Sequence, residues 1–300
     1  MADCIDVLAN IIIQQYFVSS RCLLIFTDEF NTFRYSHHLP AVQIDIGPEG
    51  LRSDIFLRYF GCQEIVVKTN RPLWFLKTFE KEIRLSVERF NRRKYLFLQG
   101  DTTEENIIEI FELNELDYVS DLVILDKYVE NRNENELFFP KVNGVINLWT
   151  HKYIGSRNVN DKILLDVWFS ENNSFKYEAD LYQNKLNNQM GRELKIATFV
   201  YEPYTIIGPT VDKHHGSEMS TIIAFTKMYN MTPFPVVNTE DYWGEIFNNW
   251  TGKGLLGNLV EDKADIGIAA LYTWESSYYF LDLSKPLVRT GITCLVPAPK

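Results

Sequence analysis

Two pairs of adjacent histidines, His37-His38 and His214-His215, are residues whose type could bind a metal ion or transfer protons. Successive side chains in a strand or loop diverge, so both members of such a pair rarely bind one metal. Carboxylates are plentiful, but no motif fixes two of them as a general acid and a general base. The sequence lacks GxGxxG, a P-loop and GxSxG. It therefore predicts that the chain is not an enzyme, with no catalytic site, no metal site and no cofactor.

A binding site is the better candidate, because an aromatic residue follows closely on a predicted strand. The alternating segment Leu194 to Val200 predicts that strand, and Pro203 ends it. The ring of Tyr204 is then expected at the carboxyl edge of the strand, where α/β sheets form their ligand crevices. Tyr204 is the first candidate ligand-binding residue.

The charge of the chain argues against a nucleic-acid partner. The formal net charge is −10 and the pI is about 5.1, so the protein would repel a phosphate backbone. No segment approaches the roughly 18 to 20 apolar residues that cross a bilayer. The first residues also lack the basic and apolar regions of a signal peptide. Three hundred residues leave room for two ordinary domains.

The cysteines and the N-x-S/T triplets do not by themselves determine a disulfide pairing or a glycosylation site. Cys4, Cys22, Cys62 and Cys294 form no CxxC pair, so they are expected either as buried thiols or with one disulfide among the first three. The sequence does not assign that pairing. N-x-S/T triplets, which would suit a secreted surface, begin at Asn172, Asn230 and Asn249.

Short apolar runs alternate with helical patterns in the first half of the chain. From Leu76 to Phe90, apolar residues recur at spacings of three and four, which predicts an amphipathic helix. Thr102-x-x-Glu105 has the form of a capping box that would open a second helix. Strands separated by helices predict an α/β domain with a parallel sheet. The five predicted strands are Cys22 to Phe26, Val42 to Ile46, Ile65 to Val67, Tyr95 to Leu98 and Leu122 to Leu125.

We expect this N-terminal α/β domain at residues 1–170. The polar segment 171–190 predicts a linker, and residues 191–300 predict a second α/β unit. Three further strands are predicted in the first domain, at Leu137 to Phe139, Val145 to Trp149 and Ile163 to Phe169. The second unit is expected to have a helix after Gly216 and strands at Pro233 to Val237 and from Ala264 to Ala270.

Short motifs follow one another through residues 191–300 in a characteristic order. They are Gly191-x-x-Leu194, Glu202-Pro203-Tyr204, Trp250 with Gly252 and Gly257, Ala264-Asp265, and Asp282-x-Ser284-Lys285-Pro286 with Gly291. This order resembles the first ligand-binding segment of ionotropic glutamate receptors, and more closely the divergent insect branch called ionotropic receptors. The resemblance covers about 110 residues at the C-terminus.

The resemblance implies one lobe of a periplasmic-binding-protein-like clamshell in a ligand-gated cation channel. In that family the first membrane span follows this segment, so we expect a receptor cut short at Lys300, without the pore. The implied location is the extracellular face of the cell membrane. The implied partners are a small-molecule ligand and other receptor subunits, in a tetramer with a co-receptor. A non-conducting truncated fragment and a soluble clamshell small-molecule-binding protein remain as alternatives.

The resemblance also implies the site residues. Tyr204 keeps the family's aromatic position, while Ala270 and Tyr272 stand where the family has a proline and a threonine that contact the ligand amine. Ser277 stands where glutamate-binding members have an arginine for the ligand carboxylate, and no arginine lies between Ala270 and Asp282. A guanidinium suits that role because it donates two parallel hydrogen bonds.

These departures predict a ligand other than an α-amino acid, such as a small volatile, an amine or an acid, sensed in chemoreception such as olfaction. A cation over an aromatic ring gains about 0.5 to 2 kcal/mol, so an amine is one of the candidate ligands. The carboxylate of Glu275 would pair with the ammonium group of such an amine. Trp250 is expected to pack in the core. The aromatic residues expected around the crevice are Tyr204, Tyr272, Trp274, Tyr278 and Tyr279.

Overall fold

The computed structural model describes residues 3–18, 21–47, 50–51, 62–84, 92–102, 104–127, 144–272 and 279–285. The chain divides into two compact units, Met1–Asn187 and Asn188–Lys300. Each unit has its own sheet and its own core. Among the described residues, no helix is long and apolar enough to cross a membrane.

An eight-stranded mixed sheet forms the first unit, in the order β2-β1-β3-β4-β5-β6-β7-β8. The first five strands are parallel, and β6, β7 and β8 extend the sheet in antiparallel fashion. The predicted parallel α/β architecture is thus confirmed. The strands are β1 (Leu23–Thr27), β2 (Ala41–Asp45), β3 (Glu64–Lys68), β4 (Lys94–Leu98), β5 (Asp121–Lys127), β6 (Val145–His151), β7 (Lys162–Phe169) and β8 (Ser174–Phe175).

Helices cover both faces of this sheet. Successive residues of a strand point to opposite faces, so Ile65 and Val67 pack with helix α2 (Pro72–Arg84), while Val66 packs with helix α1 (Cys4–Tyr16). Strands β1 and β3 are therefore buried along their whole length. The edge strand β2 is only half buried, because it has one neighbour.

The predicted capping box does not form. Glu105 instead accepts hydrogen bonds from the backbone N–H groups of Leu73 and Trp74, at 2.7 and 3.1 Å, and so caps the first turn of α2. The expected second α-helix is a pair of 3₁₀ helices, Ile107–Glu112 and Asn114–Tyr118. Asn106 caps the first of them by accepting from the N–H of Ile108. The predicted strand Leu137 to Phe139 lies outside the described residues.

Most of the segment expected to be a linker, 171–190, belongs to the first unit. The buried carboxylate of Asp166 accepts hydrogen bonds from the N–H groups of Lys176, Tyr177 and Ala179, within 3.0 Å. Leu181 is buried in the core. The polar composition of this segment therefore reflects an irregular chain fixed by one carboxylate, and the boundary between the units falls at Asn187.

A disulfide bond joins Cys22 to Cys62. It realises one of the two possibilities that the sequence left open. The two cysteines precede β1 and β3, which are neighbours in the sheet, so the bond links the amino ends of two adjacent strands. Cys4 is a free thiol, and Cys294 lies outside the described residues.

Lys185 predicts a measurable pH dependence of stability. Its ammonium group donates to the hydroxyl of Thr150 and the carbonyl of His151, at 3.0 and 2.8 Å, and burial lowers the pKa of Lys185 from 10.5 to about 8. Between pH 8 and 10.5 the unfolded chain holds the proton that the folded chain has lost. The free energy of unfolding should therefore rise with pH across this window.

Urea titrations at several pH values test this expectation. Lys185→Met should flatten the rise relative to the wild type, whereas Lys176→Met, at an exposed lysine of the same segment, should leave it unchanged. An equal slope in the wild type and in Lys185→Met would contradict the prediction.

The second unit is built on a parallel sheet with the order β10-β9-β13. Helix α3 packs on one face through Met219 and Ile222, and helix α4 packs on the other through Leu255. A short antiparallel hairpin, β11 with β12, precedes α4. The elements are β9 (Glu193–Thr198), α3 (Ser217–Met228), β10 (Thr232–Val237), β11 (Glu245–Phe247), β12 (Thr251–Lys253), α4 (Gly254–Val260) and β13 (Ile266–Gly267).

Candidate functional site

The carboxyl ends of the three parallel strands meet at one edge of the second sheet. Three chain segments lie beyond this edge, namely the loop after β9, the chain after β10 and the chain after β13. This edge is where a parallel α/β sheet forms a ligand crevice. Strand β13 is shorter than predicted, since it ends at Gly267, and Ala270 already has a left-handed backbone with φ of 51°.

The loop after β9 is fixed on the first turn of α3. The carbonyl of Tyr204 accepts from the N–H groups of Glu218 and Met219, at 3.1 and 3.3 Å, and the carbonyl of Pro203 accepts from Ser217 at 3.1 Å. These three N–H groups would otherwise lack partners at the start of a helix. The contact requires Gly216, because a Cβ atom there would lie 2.4 Å from the Tyr204 carbonyl oxygen.

Aromatic rings join the loop after β9 to the chain after β10. The rings of Tyr201 and Tyr204 are stacked at 5.6 Å, and Trp243 meets Tyr201 at 5.1 Å and Phe199 at 4.9 Å, in both cases edge to face. Such pairs add about 0.5–1.5 kcal/mol each beyond the area that they bury. The Trp243 indole N–H donates to the carbonyl of Ala269 at 2.8 Å, which joins the chain after β13 to the same cluster.

A carboxylate lies at the same edge. Glu218, in the first turn of α3, accepts a 2.9 Å hydrogen bond from the N–H of Ala270 through one of its two oxygens. No donor reaches its other oxygen within the part of the chain that the structure describes. The Glu218 side chain is half buried, so it remains open to solvent and to a ligand.

Of the predicted site residues, Tyr204 and Ala270 lie together at this edge, and Ser277 lies outside the described residues. Tyr204 and Ala270 both contact Glu218, the first through its backbone carbonyl and the second through its N–H. Tyr272 lies two residues after Ala270, and its side chain is 55% exposed. Ser277 lies outside the described residues, as do Trp274, Glu275 and Tyr278. Trp250 packs against Phe280, with ring centroids 4.9 Å apart.

Sequence reasoning missed three residues at this edge, Tyr201, Trp243 and Glu218. Trp243 lies in a polar stretch that reads as a loop, and its partner Ala269 is 26 residues away. Glu218 reads as an ordinary acidic residue of a first helical turn, a position that helix dipoles favour. The sequence carries no signal for Glu218, because its partner Ala270 lies 52 residues further along the chain.

Residues 192–300 match the family described as the ligated ion channel L-glutamate- and glycine-binding site. The second unit is similar to the ligand-binding domain of ionotropic glutamate receptors. The matched residues include the loop after β9, helix α3 and the chain after β13, which together form the edge described above. A search of curated proteins found no match.

The match indicates that residues 192–300 are a ligand-binding part of an ionotropic receptor. In ionotropic glutamate receptors, the ligand-binding domain is a periplasmic-binding-protein-like clamshell. The members of this family are ligand-gated ion channel receptors, and it is not an enzyme family. The match implies a membrane receptor with an extracellular ligand-binding part, a small-molecule ligand and an oligomeric assembly.

Proposed function

We propose that this chain is the outer part of a chemosensory ligand-gated cation channel of the insect ionotropic receptor type, and that its ligand is not an α-amino acid. In this proposal residues 191–300 are the first ligand-binding segment, and Tyr204, Ala270, Tyr272 and Ser277 border the ligand. The remaining subunits of a tetramer, a co-receptor among them, are its partners, and its surface carries N-linked glycans.

One observation carries the proposal. The edge of the second sheet offers aromatic rings and one carboxylate, while the position where glutamate-binding members have an arginine holds Ser277. A carboxylate of an amino-acid ligand would then meet no guanidinium between Ala270 and Asp282 and would face the negative charge of Glu218. Aromatic rings favour ligands with an apolar body.

Closure of the clamshell around a ligand would open the channel only if the ligand binds the closed form more tightly than the open form. A ligand that contacts this lobe more strongly in the closed clamshell than in the open one shifts the equilibrium toward the closed form by that difference. In this proposal the closing movement pulls on the chain that follows residue 300. The energy available for gating is then limited by how many contacts the aromatic edge gains on closure.

Ligand titrations of the 300-residue chain, followed by ¹H–¹⁵N NMR, test the proposal. Small apolar amines, alcohols and acids should shift the Trp243 indole and Ala270 amide signals at lower concentrations than glutamate or glycine. Tyr204→Ala should weaken these shifts, whereas Tyr177→Ala, at an exposed tyrosine of the first unit, should leave them unchanged. Tighter binding of glutamate than of every other probe would overturn the proposal.

A further inference from the structure

The N-x-S/T triplets of this chain can accept N-linked sugars, and the fold gives them different surroundings. They begin at Asn172, Asn230 and Asn249. An N-linked glycan is bulky and polar, so the asparagine that carries it has to lie at the surface. All three asparagines are exposed. Exposure therefore does not distinguish them, and their hydrogen bonds have to be compared.

Asn172 lies in the turn between β7 and β8. Its own side chain and both of its neighbours are exposed, and the hydroxyl of Ser174 donates to its Oδ1 at 2.8 Å. Within the described residues its side-chain nitrogen, Nδ2, makes no hydrogen bond. Strand β8 is the last strand in the order of the sheet. A sugar on this Nδ2 would extend from the edge of the sheet without displacing a contact between described residues.

Asn249 repeats this arrangement in the second unit. It lies in the turn of the β11–β12 hairpin, and the hydroxyl of Thr251 donates to its Oδ1 at 2.6 Å. Its Nδ2 likewise makes no hydrogen bond to any residue that the structure describes. The middle residue of the triplet, Trp250, packs against Phe280, while Asn249 remains exposed. The second triplet is therefore also compatible with a sugar in the folded chain.

Asn230 differs because it joins two segments of the second unit. It follows α3 with a φ of 52°, and its Nδ2 donates to Oδ1 of Asn188 at 2.8 Å. Its carbonyl accepts from the N–H of Gly191 at 2.7 Å, and the hydroxyl of Thr232 donates to the carbonyl of Gly191 at 3.2 Å. A sugar would replace one of the two hydrogens on Nδ2 and place a bulky group where these segments meet.

The disulfide bond between Cys22 and Cys62 is an independent sign of the compartment in which such sugars are attached. Disulfides persist in the oxidising lumen of the secretory route. The co-reactant there is an oligosaccharide carried on a lipid pyrophosphate. The asparagine Nδ2 forms a bond to the anomeric carbon of the first sugar, the bond from that carbon to the pyrophosphate breaks, and one amide proton is lost.

We infer that Asn172 and Asn249 carry N-linked glycans and that Asn230 does not. This inference rests on the extracellular location in the proposed function and identifies the residues that carry its glycans. The two glycans also mark surfaces that no other subunit covers, namely the turn before β8 and the turn of the β11–β12 hairpin. Other subunits of the receptor contact the chain elsewhere.

Peptide mass spectrometry tests the inference on the 300-residue chain, produced in cultured animal cells with a supplied secretion signal. Removal of the glycans by a peptide-N-glycosidase in ¹⁸O-labelled water converts each glycosylated asparagine into aspartate that contains ¹⁸O. The label should appear at Asn172 and Asn249 and be absent at Asn230. A sample without the enzyme controls for spontaneous deamidation. If the cells retain the chain, their membrane fraction gives the same readout, because the sugars are attached before secretion.

Ser174→Ala and Thr251→Ala each remove one triplet, and each should shift the band on a gel by the mass of one glycan. The matched control is Thr232→Ala, which removes the remaining triplet and should leave the band unchanged. Label at Asn230, or no label at Asn172 or at Asn249, would overturn the inference. Such a result would leave the ligand class of the proposed function intact, because that class fails only in the NMR titrations with ligands.

Discussion

Replacing Arg93 by leucine is expected to lower the free energy of unfolding by about 3–5 kcal/mol, the usual cost of removing one partner of a buried ion pair. Glu80 on α2 is fully buried, and Arg93 donates to it through Nη2 at 2.9 Å and through Nε at 3.3 Å. The hydroxyl of the buried Tyr95 also donates to Glu80. Without Arg93, Tyr95 is the one donor left to the Glu80 carboxylate among the described residues, and none of these residues gives it a positive partner.

The Tyr95 phenol is fully buried, so little water reaches the group formed by Glu80, Arg93 and Tyr95. Burial, and after it the negative charge of Glu80, raises the pKa of Tyr95 well above the ordinary value of 10. Urea denaturation followed by circular dichroism measures the loss of stability. Arg157→Leu, at an exposed arginine, is the control and should change stability by less than about 0.5 kcal/mol.

A triple variant separates the ion pair from its surroundings. Glu80→Leu with Arg93→Leu and Tyr95→Phe removes all three polar groups at once, so no buried charge remains unpaired. It should recover most of the stability lost by Arg93→Leu alone. A triple variant that is less stable than Arg93→Leu would show that the polar group itself stabilises the sheet, contrary to this account.

Replacing Asp166 by alanine should have a similar effect, also about 3–5 kcal/mol, because several backbone N–H groups lose their acceptor at about 1–3 kcal/mol each before water compensates. The Asp166 carboxylate is fully buried. Its Oδ1 accepts from Val167, Lys176 and Tyr177, and its Oδ2 accepts from Ala179.

The variant Asp166→Asn refines this test. It retains the oxygen that can accept from three of the donors but replaces the acceptor for Ala179, so its cost should be smaller than that of Asp166→Ala. Hydrogen exchange should report the loss locally, with faster exchange at Tyr177 and Ala179 than in the wild type. Asp161→Ala, at an exposed carboxylate, provides the control. Unchanged protection of these amides in Asp166→Ala would contradict the assigned role.

The sequence was sufficient for elements that local patterns determine. Buried strands such as Leu23–Thr27 and Asp121–Lys127 appear as continuous apolar runs, and Gly216 marks the start of α3. The prediction of a capping box was wrong for a physical reason. The carboxylate of Glu105 accepts hydrogen bonds from N–H groups at the start of α2, 32 residues earlier in the chain, and not from its own turn.

The candidate site was only partly predictable for the same reason. Tyr204 follows its strand directly, so local order placed it at the edge of the sheet. Glu218 and Ala270 are 52 residues apart, and Trp243 and Ala269 are 26 residues apart, so only the folded sheet brings their polar groups together. No period or spacing in the sequence encodes such pairs, whereas a positive φ and a hydrogen-bond partner reveal them at once.

The bond between Cys22 and Cys62 determines where this protein reaches its full stability. A disulfide persists in oxidising compartments and is rare where glutathione keeps thiols reduced. By closing a loop of 40 residues, it restricts the unfolded chain and so favours the folded one. A chain synthesised in a reducing cytosol would therefore be the same polypeptide with a weaker first unit. For this molecule, the biosynthetic route therefore determines whether the amino ends of β1 and β3 are covalently joined.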